Sequence, residues 1–309
     1  MQVILAQPRG FCAGVERAIQ IVETALKKYG SPIYVKHEIV HNQRVVSELR
    51  SKGVKFVESI SDIPDGAVTV FSAHGVSKKV ESEASERGLE PLDATCPLVS
   101  KVHIEGRKYA KKGFEIVLIG HHNHPEVEGT LGQIPGTVHL ISDVEEVENL
   151  VIKDPDKVAY ITQTTLSVDD TRDVIFALKN RFPNIAGPDI KDICYATQNR
   201  QSAVHHLADQ VDLVLVVGAQ NSSNSNRLCE GSRDRGVPAY LVQNSNDYNP
   251  EWSVNAEKIG VTAGASAPEA LVQELIERLK QHHDIEVTTM TGITENVRFN
   301  LPASLRKAS

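Results

Sequence analysis

The sequence predicts an α/β fold made of three small units with parallel sheets, arranged with pseudo-threefold symmetry around a shared centre. Two observations lead to this prediction. Apolar, β-rich runs alternate with segments of helical periodicity along the chain. Three of the helical segments also begin at a cysteine, and these residues, Cys12, Cys96 and Cys194, are separated by roughly 90 residues, a plausible size for a minimal α/β unit.

Each of the three helices is predicted from its own pattern. The apolar residues within 15–26 fall on one helical face, and those within 196–207 recur at helical spacing. Pro97 suits the first turn of the remaining helix. All three cysteines are therefore expected at helix N-termini.

The predicted strands end in polar loops that contain glycine, serine or histidine. The strands are the apolar runs 67–71, 116–119 and 213–217, and further strand ends are predicted at 40–42, 162–165 and 263–268. In parallel sheets, ligand sites usually lie at the carboxyl ends of the strands. We therefore expect these loops to carry the function.

The repeats also set the expected limits of the units. Residues 14–95 form the first α/β unit, 96–193 form the second, and 1–13 with 194–281 form the third. Residues 282–309 are expected to be a C-terminal tail outside the repeats.

Composition narrows the class of protein. The chain has 309 residues, of which 40% are hydrophobic, enough for two ordinary cores or three small ones. No apolar run is long enough to cross a membrane, and the N-terminus lacks the pattern of a signal peptide, so the cytoplasm is the expected location. A net charge of −7 argues against nucleic acid or an anionic membrane as the dominant partner.

The four cysteines are better explained as ligands, nucleophiles or core residues than as a disulfide framework. The chain lacks the paired short spacings that are typical of structural zinc sites. Three thiolates at helix N-termini suit an iron–sulfur cluster with one iron left open, although three buried structural cysteines are the open alternative. Cys229 lies inside a helical run, so it is predicted to be a core or helix-surface residue.

The strand-end loops are rich in groups that can bind phosphate oxygens. The chain has neither a Walker motif nor a G-x-G-x-x-G motif, so a diphosphate fits better than a nucleoside triphosphate or a dinucleotide. Glu126 can hold a proton for delivery if its site is closed; alternatively, it is a carboxylate that stabilises a helix N-terminus. Structural histidines and a Ser/Asn turn are the alternatives for the phosphate-binding loops. The candidate phosphate-binding residues are His41, His74, His124, Thr164, Ser222, Ser223, Asn224 and Ser266.

Seven motifs together resemble the LytB/IspH family of hydroxymethylbutenyl diphosphate reductases. They occur in order over nearly the whole chain, and they are jointly specific although each alone is weak. The motifs are PRGFCAGV (8–15), SAHGV (72–76), DATCP (93–97), HPEVEG (124–129), TQTTLS (162–167), NSSNSN (221–226) and TAGAS (262–266).

The resemblance implies reduction of 4-hydroxy-3-methylbut-2-enyl diphosphate to isopentenyl and dimethylallyl diphosphates, the last step of the non-mevalonate isoprenoid pathway. It implies a [4Fe–4S] cluster at the shared centre, bound by Cys12, Cys96 and Cys194, with one open iron for the substrate hydroxyl. Glu126 is the implied proton source, with Thr164 close by, and the eight phosphate-binding candidates are the implied substrate-binding residues. A ferredoxin- or flavodoxin-type protein is the implied electron donor.

Two other functions stay open at this point. A thiol-dependent hydrolase would use a Cys/His nucleophile pair without a metal. A phosphate-binding or regulatory iron–sulfur protein would hold the cluster without turnover.

Overall fold

The computed structural model describes residues 1–306 of the chain. Strands and helices alternate, and the strand pairs of these residues are all parallel, which confirms the predicted α/β class with three parallel sheets. The strands are β1 (Gln2–Leu5), β2 (Ile33–Lys36), β3 (Val54–Val57), β4 (Thr69–Phe71), β5 (Leu92–Asp93), β6 (Glu115–Ile119), β7 (Val138–Ile141), β8 (Val158–Thr162), β9 (Leu213–Val217), β10 (Ala239–Val242), β11 (Lys258–Ala263) and β12 (Glu286–Thr289). The helices are α1 (Ala13–Tyr29), α2 (Gln43–Ser51), α3 (Lys78–Glu86), α4 (Pro97–Lys111), α5 (Pro125–Gln133), α6 (Val144–Glu148), α7 (Val168–Arg181), α8 (Tyr195–Ala208), α9 (Ser223–Arg233) and α10 (Glu269–Lys280).

The three predicted helix starts are confirmed. Helix α1 begins one residue after Cys12, α4 begins one residue after Cys96, and α8 begins one residue after Cys194. Within residues 1–306, no helix is both long and apolar enough to cross a membrane.

One compact unit, called here the single-sheet unit, comprises Met1–Ala13, His41–Val45 and Tyr195–Arg298. Its five-stranded sheet has the order β10-β9-β11-β1-β12. Strand β9 is buried at every position because helices cover both faces of the sheet: Leu275 of α10 packs in the core on one face and Leu207 of α8 in the core on the other.

Strand β12 lies within the segment that was predicted as a tail. It forms the edge of the single-sheet unit's sheet, and its register pairs Gln2 of β1 with Glu286. The predicted limits 14–95, 96–193 and 1–13 with 194–281 stay a prediction.

The second compact unit, called here the two-sheet unit, comprises Gly14–Val40, Val46–Cys194 and the chain from Phe299 onward. Its sheets have the orders β3-β2-β4-β5 and β7-β6-β8. Strand β6 is buried on both faces, since Val117 packs in the core that includes Leu178 of α7 and Leu118 in the core that includes Val102 of α4.

The predicted strand end at 40–42 is wrong. Strand β2 ends at Lys36, and the next residue, His37, has φ 63°, in the left-handed region that ends an extended strand. Val40 is buried but lies outside any strand. Its apolar side chain therefore reflects packing in the core and does not indicate a strand.

Candidate functional site

In the two-sheet unit, the backbone N–H groups of two cysteines make equivalent hydrogen bonds. Cys96 donates to the carbonyl of Ala73 at 3.0 Å, and Cys194 donates to the carbonyl of Thr164 at 3.0 Å. Ala73 is the second residue after β4, and Thr164 is the second residue after β8. Each cysteine is thus fixed at the carboxyl end of a different parallel sheet.

The single-sheet unit repeats this arrangement. Cys12 donates its N–H to the carbonyl of Ala265 at 3.1 Å, and Ala265 is the second residue after β11. Gly10, in the same loop, donates its N–H to the carbonyl of Ala263 at 3.0 Å. A hydrogen bond from a cysteine N–H to the carbonyl of the second residue after a strand therefore occurs once for each of the three sheets.

The four thiols differ in their exposure to solvent. Cys12, Cys96 and Cys194 are each partly exposed, whereas Cys229 is 3% exposed within α9. Burial raises the pKa of the Cys229 thiol to about 12, which holds it as a neutral thiol. Of the two predicted alternatives for Cys229, a core residue or a helix-surface residue, the structure shows the core residue.

Glu126 is a buried carboxyl group in the first turn of α5. It is 3% exposed, its Oε1 accepts a 2.7 Å hydrogen bond from the N–H of Thr164, and its Oε2 accepts a 2.9 Å bond from Oγ1 of Thr164. Burial raises the pKa of Glu126 to about 7, against the opposing effect of the two Thr164 bonds, and the negative charge of Asp192 adds to the increase. This carboxyl can carry a proton near neutral pH.

The loop before α5 orients Glu126 and brings histidines together. His124 caps the helix, since its Nδ1 accepts a 3.1 Å hydrogen bond from the N–H of Glu126. The rings of His124 and His74 lie edge to face with centroids 6.0 Å apart, and Nδ1 of His74 lies 3.3 Å from Oγ of Ser72. In the two-sheet unit, the predicted residues His74, His124, Glu126 and Thr164 therefore form a polar group beside the two cysteines, with Thr164 bonded to the backbone of Cys194.

The predicted phosphate-binding residues of the single-sheet unit also lie near one another. Oγ of Ser266 donates to the carbonyl of His41 at 2.9 Å, and Oδ1 of Asn224 accepts from the N–H of Ala265 at 2.9 Å. Ser222 is the N-cap of α9, and Ser223 is the first residue of that helix. These groups surround the α9 N-terminus and the loop after β11.

Asn221 opens the NSSNSN motif but was not chosen as a site residue; it is exposed, and its Nδ2 donates to the ring of His41 at 3.2 Å. Sequence reasoning missed two buried polar residues, Asp192 and Arg200. Asp192, 3% exposed, has its pKa raised by burial and lies 3.2 Å from Nζ of Lys101. Arg200 has no exposed surface and donates to the carbonyl of Gly10. An arginine within an otherwise apolar helical face was the signal that could have revealed Arg200.

The fold and the site together define an α/β protein with three parallel sheets, in which the loop after one strand of each sheet accepts a hydrogen bond from the backbone of a cysteine. This chain belongs to the LytB protein family, whose model matches residues 3–280, and this confirms the resemblance seen in the motifs.

Named relatives cover almost the entire chain. It is 58% identical over 308 residues to the 4-hydroxy-3-methylbut-2-enyl diphosphate reductase of Burkholderia pseudomallei (strain 1026b), covering 100% of this chain and 98% of the relative. It is 59% identical over 305 residues to 4-hydroxy-3-methylbut-2-enyl diphosphate reductase 2 of Bradyrhizobium diazoefficiens, covering 99% of each chain.

Among solved structures, that of the E-1-hydroxy-2-methyl-but-2-enyl-4-diphosphate reductase from Plasmodium falciparum is similar, with a TM-score of 0.93 and 40% sequence identity. The match covers 98% of this chain and 96% of that chain. A structure of (E)-4-hydroxy-3-methyl-but-2-enyl diphosphate reductase, described as the terminal enzyme of the non-mevalonate pathway, matches with a TM-score of 0.65 and 30% identity over 91% of this chain and 100% of that chain.

Proposed function

We propose that this chain is an oxidoreductase that converts 4-hydroxy-3-methylbut-2-enyl diphosphate into isopentenyl and dimethylallyl diphosphates, the last step of the non-mevalonate pathway. The reaction takes up two electrons and two protons and releases water. The observation that carries the proposal is the linked pair Glu126 and Thr164: a buried carboxyl with a pKa of about 7 is bonded to the residue whose carbonyl holds Cys194. Relatives at 58% and 59% identity that carry the reductase name support it.

The proposed cofactor is a [4Fe–4S] cluster with Cys12, Cys96 and Cys194 as ligands and one open iron. The three cysteines fit this cofactor, because thiolates are the normal ligands of such clusters and these three thiols are partly exposed. The buried thiol of Cys229 does not fit, since burial resists its deprotonation. The helix that starts after each of the three cysteines favours a negative charge on the sulfur. When bound, the cluster supplies electrons and Lewis acidity at the substrate hydroxyl.

In this proposal, Glu126 supplies a proton to the hydroxyl so that it leaves as water. The hydroxyl and N–H of Thr164 hold both carboxyl oxygens, which fixes the orientation of the acid. Burial keeps Glu126 protonated up to about neutral pH, since its pKa is about 7. Protonation of the resulting allylic group at either end gives the two products.

The diphosphate is proposed to bind to polar groups at strand ends and helix N-termini, where N–H groups and the helix dipole favour anions. Glycines and small side chains in the loops after β4 and β11 let a ligand approach the backbone. The proposed groups are His41, His74, His124, Thr164, Ser222, Ser223, Asn224 and Ser266. A ferredoxin- or flavodoxin-type protein is the proposed electron donor, and the cytoplasm is the proposed compartment.

The test is anaerobic purification followed by a turnover assay with reduced methyl viologen as a chemical electron donor. We expect a brown protein that oxidises the viologen only when the hydroxymethylbutenyl diphosphate is added, with both product diphosphates detected by mass spectrometry. A colourless, iron-free protein that hydrolyses phosphate or thioester substrates would favour the thiol hydrolase. A brown protein without substrate-dependent oxidation would favour a regulatory iron–sulfur protein.

A further inference from the structure

Arg200 is a fully buried arginine in the single-sheet unit, on helix α8. Its Nε and Nη2 donate to the carbonyl of Gly10 at 3.0 and 2.7 Å, and Nη2 also donates to the carbonyl of Phe11 at 3.2 Å. The next residue of that loop is Cys12. One guanidinium thus holds the two peptide carbonyls that immediately precede a proposed cluster ligand.

The charge of Arg200 is balanced by a residue from outside the family-matched region. Nη1 lies 3.1 Å from Oε1 and 3.2 Å from Oε2 of Glu295, and Nη2 lies 3.2 Å from Oε2. Asn199 adds a 2.9 Å hydrogen bond to Oε1. The family model ends at residue 280, so Glu295 lies beyond it. Glu295 also lies within 282–309, the segment that is expected from the sequence to be a tail. A planar guanidinium presents five N–H donors in a fixed fork to these acceptors, whereas an ammonium group presents only three.

A second arginine makes the corresponding contact in the two-sheet unit. Nη1 of Arg17 donates to the carbonyl of Thr95 at 3.0 Å, and Nε donates to the carbonyl of Asn300 at 2.8 Å. Thr95 directly precedes Cys96. An arginine that binds the peptide carbonyl before a cysteine therefore recurs, again with a partner from the C-terminal segment.

We propose that Arg200 and Arg17 are positioning residues for the cluster ligands: Arg200, balanced by Glu295, fixes the loop of Cys12, and Arg17, held by Asn300, fixes the loop of Cys96. The C-terminal segment therefore contributes to retention of the cluster through these two arginines. This inference rests on the proposed function, because it takes Cys12 and Cys96 to be ligands.

The test compares Arg200→Lys and Arg17→Lys with the control Arg233→Lys. Arg233 also donates from Nε and Nη2 to a backbone carbonyl, that of Ala239, but this carbonyl belongs to β10 and not to a cysteine loop. Cluster-free full-length chains are treated with iodoacetamide, and the alkylation rate of each cysteine is measured by peptide mass spectrometry. In parallel, the rate of iron loss to a chelator is measured on the reconstituted protein.

We expect a crossed result. Arg200→Lys accelerates alkylation of Cys12 and leaves Cys96 unchanged, and Arg17→Lys does the reverse. We expect iron loss to be about 10-fold faster in both variants, because removing an outer partner of a metal site lowers metal affinity by about 10–100-fold. A general loss of stability would affect both cysteines alike, so the crossed pattern separates positioning from a merely structural role.

Alkylation and iron loss at the rates of Arg233→Lys, in folded variants, would overturn the proposal. If Arg200→Lys does not fold, Glu295→Gln decides instead, because it keeps the shape of the side chain and removes the balancing charge; unchanged Cys12 alkylation in that variant is the overturning result. If the unaltered chain holds no iron while the crossed alkylation pattern appears, the proposed cluster fails and the positioning of the loops stands.

Discussion

Thr164 holds both carboxyl oxygens of Glu126, with its N–H 2.7 Å from Oε1 and its Oγ1 2.9 Å from Oε2. The same threonine accepts the N–H of Cys194 on its carbonyl. Thr164 thus connects the backbone of Cys194, a proposed cluster ligand, to Glu126, the proposed acid. A change in the position of Cys194 therefore affects the position of Glu126, and the reverse.

Replacement of the acid tests this relationship directly. Glutamine in Glu126→Gln has nearly the same shape and keeps an oxygen for the Thr164 N–H, but it has no acidic proton. We expect the cluster and substrate binding to be retained and turnover to fall by about 10²–10⁴-fold, the usual contribution of a general acid. Iron analysis, substrate titration and the viologen assay measure the three quantities. Near-parental turnover would move the proton source to another group, and weakened binding with an unaltered saturating rate would make Glu126 a binding residue.

The pH dependence of turnover follows from the raised pKa of Glu126. The acid must be protonated to act, and its pKa is about 7, so turnover at saturating substrate should fall about tenfold per pH unit well above pH 7. The measurement is the viologen assay from pH 6 to 9 on the parental protein and on Glu126→Gln. The decrease in turnover with rising pH should be absent in the variant.

The same group makes folding stability depend on pH. The folded-state pKa of about 7 lies above the value near 4.3 of an unperturbed glutamate, so between these pH values the folded chain keeps a proton that the unfolded chain has released. Stability from this group is therefore fully present below about pH 4.3, decreases as the pH rises from there, and is lost once the pH has passed the folded-state pKa of about 7. The drop in unfolding midpoint from pH 5 to pH 8 should be smaller in Glu126→Gln. An equal drop would show that the carboxyl is ionised at both pH values.

The cysteine assignment is tested with a matched pair of alanine variants. Cys96→Ala should lose the visible absorbance and most of the iron, because a proposed ligand is removed. Cys229→Ala should keep both, since a thiol with a pKa of about 12 is not deprotonated at neutral pH. Cluster loss in Cys229→Ala together with retention in Cys96→Ala would reverse the assignment.

The diphosphate pocket predicts weaker binding when a single donor is removed. His74→Ala and Asn224→Ala should each weaken substrate binding by about 1.5–3 kcal/mol, the typical value of a hydrogen bond to a charged group. His139→Ala is the control, because His139 pairs with Glu115 at 3.0 Å, outside the proposed pocket. Calorimetric titration measures the affinities. Control-level binding in both variants would rule out this pocket.

Gly75, in the turn beside His74, is predicted to tolerate alanine less well than a comparable glycine elsewhere in the chain. Its φ is +80°, and an added Cβ would lie 2.8 Å from Cε1 of the buried His103. Gly88 also has a positive φ of +65°, but a Cβ there meets no atom within 4 Å. Gly88→Ala should therefore show only the conformational cost of about 1–2 kcal/mol. Gly75→Ala should cost about 1–3 kcal/mol more, as overpacking of a core does.

Denaturant unfolding of the two variants provides this comparison. Equal losses of unfolding free energy would mean that His103 moves aside without cost.

The sequence by itself determined the α/β class and the helix starts after Cys12, Cys96 and Cys194. These features depend on local chemistry, namely apolar periodicity, Pro97 at a first helical turn, and polar residues where strands end. The family also followed from sequence, because seven ordered motifs are jointly specific.

Only the tertiary structure decided which strand-end loop holds each cysteine, that Thr164 supports Glu126, and that Arg200 pairs with Glu295 across 95 positions of chain. Hydrogen bonds between residues distant in the chain leave no periodic signal, because a polar residue looks alike in sequence whether it faces water or a buried partner. The same limit explains the wrong strand end at 40–42, where burial of Val40 came from packing rather than from a strand. The raised pKa of Glu126 likewise depends on burial by residues far away in the chain, and it appears only when the fold brings them together.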